Sequence, residues 1–295
     1  MRHDLPRALV ETRVNRPEAV AEAAARRSRP DGVLGPSGKL MVIAADHSAR
    51  GVLGTGGDPM ALADRADLLE RLMVALGRPG VNGVLGTADI LEDLLLLGAL
   101  EGKVVVGSMN RGGLAGSSFE LDDRFTGYDA AAIEAMGFEM GKMLLRIDPG
   151  DAATARTLES CANAVSDLAG RRKLAMVEPF ISHRVGGRLR NDLSTEAVIR
   201  SVTVAAGLGT TSAYTWLKLP VVDDDPAGMV RVLAASTLPA VLLGGEVPDD
   251  PDAAFASWEK VLRLPTAMGL VVGRTLLYPA DGDVAAAVDM AVSLL

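Results

Sequence analysis

From residue 40 onward, short apolar runs alternate with polar loops and Ala/Leu-rich stretches of helical period. The runs predict strands over residues 40–45, 83–86, 103–108, 142–147, 173–178, 213–219, 240–243 and 269–272. The intervening pattern predicts helices over 59–75, 88–98, 129–140, 151–169, 195–206, 225–235 and 251–262, with a last one over 283–295. Several strands are almost continuously apolar, as parallel strands covered on both faces should be. Eight β/α units in one chain predict an α/β fold, a (β/α)8 TIM barrel over residues 39–295. No Gly-x-Gly-x-x-Gly follows the first strand, which argues against an open dinucleotide-binding sheet. Residues 1–38 differ: 16–27 form a strong helix with Pro17 near its start, and 29–38 break it with Pro and Gly. They predict an N-terminal helical extension.

Composition narrows the classes. The chain has 295 residues, 48% hydrophobic and 23% charged, which is enough apolar material for a large core. A net charge of −8 carries no nucleic-acid footprint, and an anionic ligand would need local Lys or Arg. The single cysteine, Cys161, excludes an internal disulfide and fits a reducing compartment. The most apolar run, 90–98, is short and carries Glu92 and Asp93, so no membrane span is expected. The N-terminus reads as no signal peptide, and a cytoplasmic homo-oligomer is expected.

In a barrel, chemistry collects at the carboxyl ends of the strands. Lys218 lies in the apolar run 212–220 (SAYTWLKLP), with Tyr214 and Trp216 on its face. Desolvation there would lower its pKa and leave a nucleophilic amine; the alternative is a lysine at a strand end snorkelling to water. Segment 142–148 (KMLLRID) alternates cleanly, which turns Lys142 and Arg146 into the barrel, unless Lys142 sits at the lower rim because it opens the run. Close to Lys218, Lys142 would depress that amine further. In 174–180 (LAMVEPF), Glu178 follows Leu174 and Met176 in parity and is a candidate acid/base or a salt-bridge partner for the lysines. Asp46 continues the parity of Val42 and Ala44 and faces the mouth, or else caps a helix. Gly244 and Gly245 before Glu246, with Gly273 and Arg274 at the next strand end, suit phosphate; tight turns are the alternative. Arg146, His47 and Ser108 complete the candidate substrate-binding set, and the loop 107–116 is long enough to cover it.

These residues resemble class I, Schiff-base aldolases. The likeness is nearest the tagatose-bisphosphate type, within the group that includes deoxyribose-phosphate and archaeal-type fructose-bisphosphate aldolases. Trp216–Pro220 resembles the strand carrying the Schiff-base lysine, Lys142–Arg146 the strand carrying a second lysine, and Glu178-Pro179 the catalytic glutamate. Asp46-His47 and Gly273-Arg274 are also similar, although Ser48 and Thr275 replace the usual glycine and asparagine. Segments 45–51 (ADHSARG) and 176–180 (MVEPF) further resemble barrel proteins of inositol-catabolic gene clusters. The resemblance implies carbon–carbon lyase activity on a phosphorylated ketose, or on a deoxy-keto-gluconate phosphate, with release of dihydroxyacetone phosphate and no cofactor. Lys218 would form the iminium, Glu178 or Asp46 would act as base, and Arg274 with the glycines would hold phosphate. A metal-dependent aldolase needs several histidines at one mouth; the chain has only His3, His47 and His183. A sugar-phosphate sensor without turnover, or an isomerase on the same barrel, remain the other readings.

Overall fold

The structure is a computed structural model that describes residues 4–110, 113–222, 225, 227–245 and 251–295. Glu246, His3, and residues 111 and 112 of the loop over 107–116 lie outside the described residues. The strands, in chain order, are β1 (Leu40–Ala44), β2 (Gly83–Gly86), β3 (Val104–Ser108), β4 (Met140–Ile147), β5 (Leu174–Val185), β6 (Arg188–Asp192), β7 (Thr215–Leu219), β8 (Ala240–Leu243) and β9 (Ala267–Val272). The helices are α1 (Asp4–Asn15), α2 (Ala19–Arg26), α3 (Arg65–Leu76), α4 (Ala88–Leu96), α5 (Ala130–Ala135), α6 (Ala153–Gly170), α7 (Thr195–Ala206), α8 (Gly228–Ala234), α9 (Pro251–Leu262), α10 (Arg274–Leu277) and α11 (Val284–Ser293).

All strands except β6 run parallel and close on themselves: β9 pairs with β1, and β4 pairs with β5 from Met140↔Leu174 to Ile147↔Ile181. This is the (β/α)8 barrel expected from the apolar rhythm. Strand parity divides the core in two. Leu40, Val42, Leu85, Val104, Val106, Met140, Met176, Val241 and Val271 fill the barrel, whereas Met41, Ile43, Val105, Met143 and Leu145 pack outward on the helices. Helix starts follow side-chain caps: Asp64 accepts from the amides of Ala66 and Asp67, and Ser194 from Ala197. Gly269 is obligatory where β9 meets β1. Its φ is +143°, and a Cβ there would lie 1.9 Å from the Leu40 carbonyl oxygen.

The N-terminal residues attach at the end of the barrel remote from the strand carboxyl ends. Arg27, 4% exposed, donates to the carbonyls of Lys103 and Gly137 and pairs with Glu139 at 2.8 Å. These groups stand just before β3 and β4 begin. The sequence reading found α2 but not α1, whose apolar positions are too few to give a clear helical stripe: Leu9 is buried, while Val10 and Val14 are exposed. The helix expected over 129–140 stops at Ala135, and Met140 opens β4 instead.

The largest departure is β5. The strand expected over 173–178 continues through Pro179 to Val185 and returns as antiparallel β6. Gly186 and Gly187, at φ +57° and +79°, form the two-residue turn, and this Gly-Gly between β-rich runs was the signal for it. His183 sits on this exposed hairpin. Among the described residues, no helix is long and apolar enough to cross a membrane.

Candidate active site

The inward positions become polar toward the carboxyl ends of the strands. Ser108 ends β3, Lys142 is the third residue of β4, Glu178 the fifth of β5 and Lys218 the fourth of β7. Asp46 follows β1 on the parity of Val42 and Ala44. Because β4 starts at Met140, Lys142 is not at the lower rim; it is 1% exposed, directly above Met140 on the inner face.

These five side chains touch in sequence. Ser108 Oγ donates to Asp46 Oδ2 at 3.2 Å, and Lys142 Nζ donates to the same oxygen at 3.2 Å. Lys142 Nζ also bonds Glu178 Oε2, and Glu178 Oε1 lies 2.9 Å from Lys218 Nζ. All five residues are more than nine-tenths buried. The expected lysine pair is therefore present, but with Glu178 between the two nitrogens. Burial opposes the Glu178 charge, yet the two ammonium groups outweigh it and hold the carboxyl well below the usual range. Two buried cations balanced by two buried carboxylates are costly to assemble and weak evidence for stability. Such a cluster in the barrel mouth is a functional-site signal.

A second group gathers beside it, at the ends of β8 and β9. Arg274 Nη2 donates to the Gly245 carbonyl at 3.2 Å. A Cβ on Gly273 would lie 2.2 Å from the Ala44 carbonyl oxygen and 3.1 Å from His47 Cε1, so this turn presses directly on the Asp46–His47 segment. A Cβ on Gly244 would meet Val272 and approach Thr275 Oγ1. His47 is held neutral, with its pKa lowered to about 3 by burial and then by Arg274, Lys218 and Lys142. The buried His47 Nδ1 and Thr275 Oγ1 meet no hydrogen-bond partner among the described residues. Arg274 also borders a cleft of about 530 Å³ lined by residues 54–59. Another cleft, of about 460 Å³, lies at α3 and before α11 and contains none of these residues.

Arg146, expected among the substrate ligands, is engaged elsewhere. It points to the mouth as its parity required, but Nη1 pairs with Glu120 Oε1 at 2.8 Å and Nη2 donates to the Glu120 carbonyl at 2.5 Å. Arg50 and Asp123 join this cluster. The sequence reading missed Glu120 and Asp123; the acidic run 120–123 (ELDD) lies just beyond the loop 107–116 expected to cover the site.

The Cgl0159-like family matches residues 38–292. The crystal structure of Cgl0159 from Corynebacterium glutamicum (Brevibacterium flavum) is 54% identical and superposes with a TM-score of 0.94, covering 99% of this chain and 96% of that one. A Schiff base-forming fructose-1,6-bisphosphate aldolase is similar at 20% identity and a TM-score of 0.64, covering 93% and 99%. An archaeal fructose-1,6-bisphosphate aldolase, with its catalytic Lys covalently bound to a carbinolamine intermediate, is similar at 19% and 0.63, covering 92% and 99%. At that identity the two aldolases share the fold. No curated protein matches the chain.

Proposed function

The chain belongs to the Cgl0159-like family, and we propose that it works as a class I aldolase, cleaving a phosphorylated ketose or deoxy-keto-sugar acid through a Schiff base on Lys218. One observation carries this reading: Lys218 Nζ, Glu178, Lys142 and Asp46 form one buried chain of contacts at the strand carboxyl ends. A buried lysine touching a carboxylate has both a nucleophile and a proton carrier at hand.

Lys218 Nζ gives up its ammonium proton to solvent as substrate enters and, as the amine, adds to the substrate ketone to give a carbinolamine. Glu178, 2.9 Å from Lys218 Nζ, takes the amine proton and returns it to the departing hydroxyl, so water leaves and an iminium forms. A carboxylate, Asp46 or Glu178, removes the proton of the hydroxyl beyond the scissile bond. The carbon–carbon bond breaks, its electron pair enters the iminium, and an aldehyde departs. The remaining enamine is protonated on carbon, and water hydrolyses the iminium to free the ketone product and Lys218. Lys142, bridging Asp46 and Glu178, fixes both carboxylates and stands ready to bond a substrate oxygen. Arg274 with the amides of Gly244, Gly245 and Gly273 receives a phosphate. Dihydroxyacetone phosphate is the ketone product that this arrangement suits.

Borohydride reduction in the presence of phosphorylated ketoses and deoxy-keto acids, followed by peptide mapping, tests the reading. A substrate adduct on Lys218, lost in Lys218→Met, is expected. An adduct confined to another lysine, or cleavage unimpaired in Lys218→Met, would end it.

A further inference from the structure

A second charged cluster at the barrel mouth stands apart from the lysine–carboxylate chain. Arg50 lies four residues beyond Asp46, and Arg146 lies four beyond Lys142 on the same face of β4. Asp46 and Lys142 touch, so two guanidinium groups rise together above that contact. The distance along β4 is about 13 Å at the usual strand rise. Both arginines are more than nine-tenths buried.

Residues 113–125 cover them. Glu120 Oε1 lies 2.8 Å from Arg146 Nη1 and 3.4 Å from Arg50 Nη2. Asp123 Oδ2 lies 3.3 Å from Arg50 Nη1 and 3.5 Å from Arg146 Nη2. Three of these four contacts exceed the roughly 2.7–2.9 Å of a well-formed charge-assisted bond. Arg146 Nε is buried and meets no hydrogen-bond partner among the described residues. Burial first, and the Arg50 charge second, pull Arg146 down to about 10, against the opposing effect of Asp123 and Glu120. Two fixed guanidinium forks with an unused donor, in a largely dry mouth, suit a planar or tetrahedral oxyanion.

We propose that Arg50 and Arg146 form a distal anion subsite, occupied in the resting protein by the Glu120 carboxylate, and that a terminal phosphate or carboxylate of the substrate replaces Glu120 there. The substrate is then an open-chain sugar derivative with an anionic group at each end, one at Arg274 and one at Arg146. The identity of that ligand rests on the aldolase reading; the subsite does not depend on Lys218 chemistry. Displacement also frees the Gly116 amide, which donates to Glu120 Oε2 at 2.9 Å in the resting protein.

Inorganic phosphate titrated into the full-length protein by calorimetry tests the subsite. Glu120→Gln keeps the shape and removes the competing charge, so phosphate should bind about tenfold tighter than to the wild type. Adding Arg146→Gln should cancel the gain. Repeating the titration with acetate shows which oxyanion the subsite prefers. No gain with either anion, or a gain that survives Arg146→Gln, overturns the proposal. The wild type gives a readout independent of whether a variant folds: saturating phosphate should speed hydrogen exchange at the Gly116 amide. Exchange there that stays unchanged overturns the proposal as well. Borohydride trapping on Lys218 is read separately, so loss of either conclusion leaves the other standing.

Discussion

Glu178→Gln is the perturbation that bears most directly on the site. The side chain is 8% exposed and its two oxygens contact two ammonium groups. At 2.9 Å from Lys218 Nζ and an effective dielectric of about 20, the gross attraction to that lysine is on the order of 6 kcal/mol. Desolvation of the three charges offsets much of it. Removing one partner of a buried pair typically costs about 3–5 kcal/mol. Here two cations lose one acceptor, while the glutamine keeps the volume and one carbonyl oxygen, so about 4 kcal/mol is expected at pH 7. Urea unfolding of wild type and variant measures it. The pH dependence supplies the decisive check. The folded-state pKa of Glu178 is depressed below its ordinary value of 4.5. Its ionic contribution is therefore complete above pH 4.5 and declines as pH falls below it, by about 1.4 kcal/mol per pH unit. The stability gap between wild type and variant should be flat from pH 8 to about 5.5 and narrow below 4.5. A gap under about 1 kcal/mol at pH 7, or one that does not narrow in acid, would refute the ionic account.

Other expectations are equally direct. Gly269→Ala puts a Cβ against the Leu40 backbone at a strained φ, so a loss of about 3 kcal/mol or more is expected in thermal unfolding, with β1–β9 amides losing exchange protection. Arg27→Ala strands Glu139 and the carbonyls of Lys103 and Gly137; it should cost about 3–5 kcal/mol while leaving adduct formation on Lys218 intact, since it acts at the opposite end of the barrel. Burial pushes the Cys161 thiol up to about 12, so the folded protein should resist a thiol-directed disulfide reagent at pH 8 and react once unfolded. The His47 ring should stay neutral from pH 8 to pH 5, with constant NMR shifts; a titration step near 6.5 would contradict its placement among three cations.

Much of this architecture was written locally. Period-2 alternation in 142–148 and 174–180 determined which side chains face inward, and the recurring strand–helix rhythm determined a closed barrel that gathers those strand ends. Pairings between distant segments were not legible. The strand expected over 173–178 passes through Pro179 because β4 pairs with it as far as Ile181 and β6 pairs with it from there on. Arg146 reads as a substrate ligand facing into the barrel, but Glu120, 26 residues earlier, folds back onto it. Glu178 reads as a base near two lysines, while its position between both nitrogens follows from the register of β4, β5 and β7. Side-chain direction is a property of a few consecutive dihedrals and survives in the sequence. Which charges meet depends on barrel closure and loop return, where many distant residues settle together the desolvation and pairing of each charge.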